Sequence, residues 1–103
     1  NQVNQDQFEA AAEWLTQNAS PGNVVMTPQT YTLNYVSGHP TIALPGNEPP
    51  DAAWEAALRY SARYLIVTRP FGQYPQILRE QPDPRFRLLD TTGNMEVYEI
   101  LAD

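Results

Sequence analysis

Residues 54–70 decide the fold class, and they read Trp54-Glu55-Ala56-Ala57-Leu58-Arg59-Tyr60-Ser61-Ala62-Arg63-Tyr64-Leu65-Ile66-Val67-Thr68-Arg69-Pro70. Apolar side chains at helical spacing in the first half run directly into a continuous apolar run, which Arg69-Pro70 ends. A helix that leads into a strand apolar on both faces is typical of parallel strands covered by helices on both sides. The stretch therefore predicts an α/β protein.

The composition is that of one small acidic domain. The chain has 103 residues, with twelve acidic side chains, six basic ones and a net charge of -6. This charge opposes binding to a polyanion, so nucleic acid is not an expected partner. The absence of cysteine excludes disulfides, thiolate zinc sites and cysteine nucleophiles. The chain begins at Asn1 in a polar segment, so we expect residues 1–103 to be a single α/β domain excised from a longer polypeptide.

Helical and extended segments alternate along the chain. The predicted segments are a helix at 4–18, strands at 24–27, 41–44 and 64–68, a helix that Asp51 caps, and a short helix at 74–81. Residues 30–36 fit either a short helix or an extended piece. This order predicts a small three-layer α/β domain of Rossmann or flavodoxin-like type, in which helices cover both faces of a mostly parallel sheet with right-handed crossovers.

The C-terminal residues change character and predict an antiparallel β-hairpin. Its strands are 86–90 and 96–101, on either side of a turn at 91–94. The second strand alternates, with Val97 and Tyr98 on opposite faces, so we expect it to be half-exposed at the edge of the sheet.

Spacing also predicts which helix faces point inward. In the first helix the inward residues are Phe8, Ala11, Ala12 and Leu15. In the helix that Asp51 caps they are Trp54, Ala57, Leu58 and Ser61.

The turns after the strands do not have the glycine pattern of a nucleotide site. Residues 27–31 contain no glycine, and residues 45–47 and 69–73 contain one each. A dinucleotide fingerprint and a P-loop both need several glycines at fixed spacing. We therefore expect no nucleotide and no other cofactor.

Ser37 and His39 are the two residues whose types and spacing come nearest to those of a catalytic nucleophile and its base. A nucleophile and its base would also need an orienting acid and an oxyanion hole. Gly38 between them and Pro40 after them favour a turn instead. His39 is the only histidine, so a metal site is not expected. The acids are dispersed, which favours roles in solubility and helix capping; examples are Glu9, Glu13, Glu48, Asp51, Glu96 and Glu99.

A ligand crevice is the binding site that the strand order suggests. Ligands of such sheets bind beyond the carboxyl ends of the parallel strands. Arg69 is the cation placed to meet an anionic group there. The candidate crevice residues are Thr27, Gln29, Tyr31, Asn47, Arg69, Phe71 and Tyr74. Packing in the core and at its rim stays open as the alternative role of the aromatic residues.

A set of short motifs spans Ala11 to Ile100. The motifs are Trp14-Leu15, Val24-Val25-Met26, Tyr35-Val36-Ser37-Gly38-His39-Pro40, Ala62-Arg63-Tyr64-Leu65-Ile66-Val67 and Val97-Tyr98-Glu99-Ile100. With them the chain resembles the soluble C-terminal domain of polytopic membrane glycosyltransferases, the bacterial relatives of dolichyl-phosphate-mannose protein mannosyltransferases and aminoarabinose transferases.

The resemblance implies an extracytoplasmic, non-catalytic domain of an enzyme that uses a lipid-phosphate-linked sugar donor. In that family the catalytic acids lie in loops of the membrane part, so no residue here is expected to be catalytic. The implied partners are the membrane-embedded portion of the same polypeptide and a sugar or lipid-phosphate ligand. Two alternatives stay open: an autonomous small-molecule or protein-binding module of flavodoxin-like fold, and a small enzyme with an unrecognised site.

Overall fold

Three helices and five strands make up the part of the chain that the computed structural model describes, residues 2–28, 30–44, 50–68, 83–92 and 95–101. In chain order they are α1 (Gln2–Asn18), β1 (Val24–Thr27), α2 (Thr30–Ser37), β2 (Thr41–Ala43), α3 (Pro50–Tyr60), β3 (Ala62–Thr68), β4 (Phe86–Thr92) and β5 (Met95–Ile100).

The strands form one mixed sheet in the order β2-β1-β3-β5-β4. β1 pairs in parallel with β2 and β3, whereas β5 pairs antiparallel with β3 and β4. The expected parallel arrangement thus holds at the β2 end, and the expected antiparallel hairpin forms the β4 end. The prediction of a mostly parallel sheet is correct for the first three strands only, because β5 inserts against β3.

Helices cover both faces of the sheet. On one face, Val25, Ile66 and Val97 pack in a buried cluster with Phe8 of α1 and Leu33 of α2. Neighbouring strand residues point to opposite faces, and β1, β3 and β5 contribute buried side chains to both faces. The domain therefore has three layers, as predicted.

The opposite face of the sheet packs against α3. Met26, Leu65 and Tyr98 lie there in a second buried cluster with Ala53 and Ala57. The small alanine side chains let the helix approach the larger side chains of the strands closely. β3 is buried on both faces, as the apolar run after residue 63 predicts.

Most of the predicted elements before residue 69 are confirmed. α1 contains the predicted segment 4–18, and Phe8, Ala11 and Leu15 are its buried stripe. β1 has the predicted bounds, and the undecided segment 30–36 is helical. The predicted helix at 74–81 lies outside the described residues.

The predicted inner face of α3 needs correction. Ala53 and Ala57 are fully buried and Trp54 is half-buried, but Leu58 is 40% exposed and Ser61 is exposed. Ala53 and Ala57 are four residues apart and share the inward face. The Trp54 indole nitrogen lies at the side of this face and donates to the backbone oxygen of Leu101, at 2.9 Å. Ser61 follows the helix in a left-handed backbone conformation, φ 58°, which turns the chain into β3.

The prediction that the last strand is half-exposed is wrong. β5 lies between β3 and β4, and five of its six residues are buried. Val97 and Tyr98 do point to opposite faces, but both faces are covered. At this end of the sheet the edge strand is β4, in which Leu88 is 51% exposed.

In the part of the chain that the structure describes, we find no helix with the length and apolar character needed to cross a membrane.

Candidate functional site

A surface groove of about 510 Å³ lies between α2 and the edge strand β2. The residues that line it are Thr30, Tyr31, Asn34, Pro40, Thr41 and Ala43. We call it the tyrosine groove. Its described lining carries aromatic, amide and hydroxyl groups but no charged side chain, in a protein with a net charge of -6.

The outer face of α2 carries two exposed aromatic rings. Tyr31 and Tyr35 are 86% and 81% exposed, and they lie one helical turn apart. Asn34 lies on the same face and lines the groove. Leu33 points the other way and is fully buried, so the periodicity of α2 holds the tyrosines outward.

Hydrogen bonds hold the two walls of the groove together. The Asn34 amide nitrogen donates to the backbone oxygen of His39 at 2.8 Å, which ties α2 to the turn before β2. The Thr41 hydroxyl donates to the backbone oxygen of Thr30 at 3.0 Å, which ties the start of β2 to the start of α2. These contacts position the groove before any ligand arrives.

The turn between α2 and β2 confirms the interpretation of Ser37 and His39. The Ser37 hydroxyl donates to the backbone oxygen of Leu33 and accepts from the backbone nitrogen of His39. Gly38 has φ 75°, a conformation that favours glycine. The His39 ring is buried, and its Nδ1 lies 3.0 Å from the backbone oxygen of Asn23, to which it donates. Both side chains therefore stabilise the turn.

The predicted crevice is only partly described. Thr27 lies fully buried at the carboxyl end of β1, where its backbone oxygen accepts from Leu44. Tyr31 lies in the first turn of α2 and lines the tyrosine groove. The remaining candidates, Gln29, Asn47, Arg69, Phe71 and Tyr74, lie outside the described residues, so the crevice as a whole stays a prediction.

Glu96 is buried, contrary to the sequence prediction. The dispersed acids are predicted to be solvated or to cap helices, but Glu96 is 4% exposed and accepts a hydrogen bond of 2.8 Å from the Tyr98 hydroxyl. Glu96 pairs with Val67 in β3, at the carboxyl end of that strand. A central position for β5 explains the burial, and strand order is not visible in local spacing.

A second polar cluster ties the start of α3 to the start of β4. Arg85 donates to Asp51 at 2.6 Å and to Asp83 at 2.7 Å and 2.9 Å, and its guanidinium carbon lies 5.0 Å from the centre of the Trp54 ring. We call these four residues the Arg85 clasp. The hydrogen bonds from Arg85 lower the pKa of Asp83, and both carboxylates raise the pKa of Arg85.

Asp51 therefore differs from its predicted role. It lies inside the first turn of α3 rather than before the helix, because α3 begins at Pro50. A carboxylate in this turn still interacts favourably with the helix dipole. Its closest contact, however, is the Arg85 guanidinium.

Two further hollows occur in the described part of the chain. One, of about 400 Å³, lies at the end of α3 and includes Arg63 and Glu99, but the Glu99 carboxylate is paired with Arg87. The other, of about 280 Å³, lies beside the buried His39. Among the described residues there is no cluster of His, Asp or Glu that could hold a metal ion. The tyrosine groove, in contrast, combines the exposed Tyr31 ring with uncharged polar groups, and the exposed Tyr35 ring lies one helical turn further along α2.

Comparison with known proteins identifies the fold. No protein-family model matches the chain, and no curated protein sequence matches it. Among solved structures, it is similar to the C-terminal globular domain of an oligosaccharyltransferase from Archaeoglobus fulgidus, with a TM-score of 0.59 and 13% sequence identity. The likeness covers 89% of this chain and 95% of that one. The two domains therefore share a fold.

Proposed function

We propose that this chain is a non-catalytic domain of a membrane-bound glycosyltransferase. The observation that carries the proposal is the fold likeness, which spans nearly the whole of both chains and whose other member is a C-terminal domain of an oligosaccharyltransferase. The sequence motifs between Ala11 and Ile100 resemble C-terminal domains of the same general kind of enzyme. Two separate lines of reasoning thus favour one class of parent protein.

In this proposal the parent enzyme uses a lipid-phosphate-linked sugar donor, and the domain lies on the extracytoplasmic side of the membrane. The membrane-embedded portion of the same polypeptide is its partner. The domain helps the enzyme to recognise the donor or the acceptor, and Arg69 in the predicted crevice is a candidate for contact with a lipid phosphate. The strand order β2-β1-β3, with helices on both faces, is that of the first three strands of a flavodoxin-like sheet.

The reading frame that encodes the chain provides the first test. We expect it to encode several long apolar segments ahead of residue 1, each of roughly 20 residues, as membrane spans require. A frame that encodes only soluble neighbours would contradict the proposal.

Transfer assays test the non-catalytic role. The 103-residue chain alone, mixed with a lipid-phosphate-linked sugar and a peptide acceptor, is expected to give no glycosylated product. The parent enzyme is expected to give product, and to lose most of it when residues 1–103 are deleted while the membrane part remains folded. Sugar transfer by the isolated chain would show that the domain is itself an enzyme.

The tyrosine groove favours one alternative, an autonomous binding module. A preformed groove lined by an aromatic ring and a few polar groups is a common form of ligand site. The deletion experiment separates the two functions, because an autonomous module would leave transfer by the membrane enzyme unchanged.

A further inference from the structure

We infer that the tyrosine groove, together with the exposed Tyr35 ring one helical turn further along α2, binds a neutral glycan. In this arrangement the rings of Tyr31 and Tyr35 contact the apolar faces of sugar rings, and Asn34 hydrogen-bonds to sugar hydroxyls. The inference deepens the proposed function and rests on it for the biological role of the glycan. Its chemical basis, however, is the surface of α2 and β2.

The first argument is that the fold does not need these tyrosine rings. Tyr31 and Tyr35 leave 86% and 81% of their surface exposed, so they bury little apolar area within the chain. Neither hydroxyl has a hydrogen-bond partner within the described part of the chain. Tyrosine is enriched at binding surfaces, because it provides a large rigid ring with a polar end.

The second argument concerns the polar groups beside the rings. Asn34 uses its amide nitrogen to reach the backbone of His39, and its side-chain oxygen has no partner among the described residues. This oxygen can accept a hydrogen bond from a sugar hydroxyl. Thr30 and Thr41 add hydroxyl groups to the lining. A few fixed polar groups beside apolar surface are the usual means of orienting a bound molecule.

The third argument selects a neutral ligand. The described lining of the groove has no cation to pair with a phosphate or a carboxylate, and the net charge of -6 repels anions. A polyhydroxylated ligand without charge needs no such partner.

The geometry of α2 suits a chain of sugar rings. Residues four apart on a helix have Cβ atoms about 5–6 Å apart, so Tyr31 and Tyr35 project from neighbouring positions and can contact different rings of one oligosaccharide. The tyrosines lie on a regular helix, and the groove walls are hydrogen-bonded to each other. The backbone of the site therefore loses little conformational entropy when a ligand binds.

An extended peptide is the competing occupant, since β2 is an edge strand. However, β2 has only three residues, which limits the backbone hydrogen bonds that an added strand could form. Peptide addition would also leave the Tyr35 ring, one turn further along α2, without a role.

The test is a titration of the isotopically labelled chain with neutral manno-, gluco- and N-acetylglucosamine oligosaccharides, followed by amide NMR shifts. We expect at least one of these to shift residues 30–35 and 40–43 in a saturable manner. Tyr31→Ala and Tyr35→Ala are each expected to weaken that binding about tenfold. Tyr31→Phe should retain most of it, because the ring is kept.

Tyr60→Ala is the matched control. Tyr60 is also exposed, at 56%, but it lies at the end of α3 and away from the groove. Its replacement is expected to leave sugar affinity unchanged. The same spectra show whether each variant keeps the wild-type fold, so that lost binding is not mistaken for unfolding.

Several outcomes would overturn the inference. They are no shift with any of these oligosaccharides, equal losses in the Tyr60 and Tyr31 variants, or shifts along β2 produced by an unstructured peptide but not by sugars. If sugars fail while deletion of the domain still abolishes transfer by the parent enzyme, the proposed function stands without this inference. If sugars bind while the deletion has no effect, the groove is a glycan site in an autonomous module.

Discussion

The Arg85 clasp and the tyrosine groove each combine an aromatic ring with polar side chains, but in opposite situations. In the clasp, the ring of Trp54 and the charges of Arg85, Asp51 and Asp83 contact one another. In the groove and beside it on α2, the rings of Tyr31 and Tyr35 face solvent. Groups that satisfy one another stabilise the fold, whereas groups left exposed are available to a ligand. The comparison indicates that the clasp stabilises the fold and that the groove is available for recognition.

Trp54→Ala should have the largest effect on stability. It removes a half-buried indole, its hydrogen bond to Leu101 and its contact with Arg85. We expect the free energy of unfolding to fall by about 3 kcal/mol, measured by urea denaturation. Trp54→Phe, which keeps the ring packing and removes the N–H donor, should lose only about 1 kcal/mol. Equal losses in the two variants would assign the effect to the hydrogen bond alone.

Asp83→Asn should have the next largest effect, and its effect should depend on pH. The pKa of Asp83 is lower in the folded chain than the usual value of about 3.9, so the folded state holds this proton less tightly than the unfolded state. Its contribution is therefore present above about pH 4 and is lost as the pH falls through the folded pKa.

At neutral pH we expect Asp83→Asn to lower the free energy of unfolding by about 1.5 kcal/mol, because three hydrogen bonds from Arg85 weaken. As the pH falls from about 5 to about 3, one unit on either side of that usual pKa, the free energy of unfolding should decrease less for the variant than for the wild type. Glu55→Gln, at an exposed helix position, is the control and should follow the wild type. Parallel pH curves for all three proteins would contradict the role of the clasp.

Gly38→Ala should act on the groove through the backbone. A Cβ at Gly38 would meet no atom within 4 Å, so the φ of 75° is the source of strain. We expect a loss of about 1 kcal/mol in unfolding free energy and shifted amide signals at Asn34 and His39. Gly22→Ala introduces similar strain at φ 87° but should leave the Asn34 signal in place. Identical spectra for the two variants would contradict the coupling between turn and groove.

Tyr31→Ala and Tyr35→Ala should have the smallest effect on stability. Both side chains are exposed, and alanine is the better helix former, so the free energy of unfolding should change by less than about 0.5 kcal/mol. A loss of unfolding free energy above about 2 kcal/mol in urea denaturation would show that these rings stabilise the fold, as the clasp residues do.

Local spacing is sufficient to predict the elements up to β3 except α2, which it leaves open between a helix and an extended segment. The stripe of Phe8, Ala11 and Leu15 and the apolar run of β3 appear in the structure where the sequence places them. The position of β5 could not be predicted, because pairing with β3 is a long-range choice that a single strand does not encode. The burial of Glu96 follows from that same choice.

The candidate site was predicted in part. Tyr31 is a predicted crevice residue because it follows β1. That it shares a helix face with Tyr35 depends on residues 30–37 being helical, which the sequence leaves open. Once α2 is known to be a helix, the i, i+4 spacing places both rings on one face. Asn34 joins them only through its tertiary contact with the turn at His39.

The central position of β5 has a consequence for how the chain folds. β3 is synthesised before β5, and it cannot complete its pairing until residues 95–100 have emerged. Until then β3 presents an open strand edge that can pair with other chains. Contacts between distant parts of the chain also slow folding. We therefore expect folding of this domain to be completed late in its synthesis, and aggregation to be the main risk when β5 is removed or delayed.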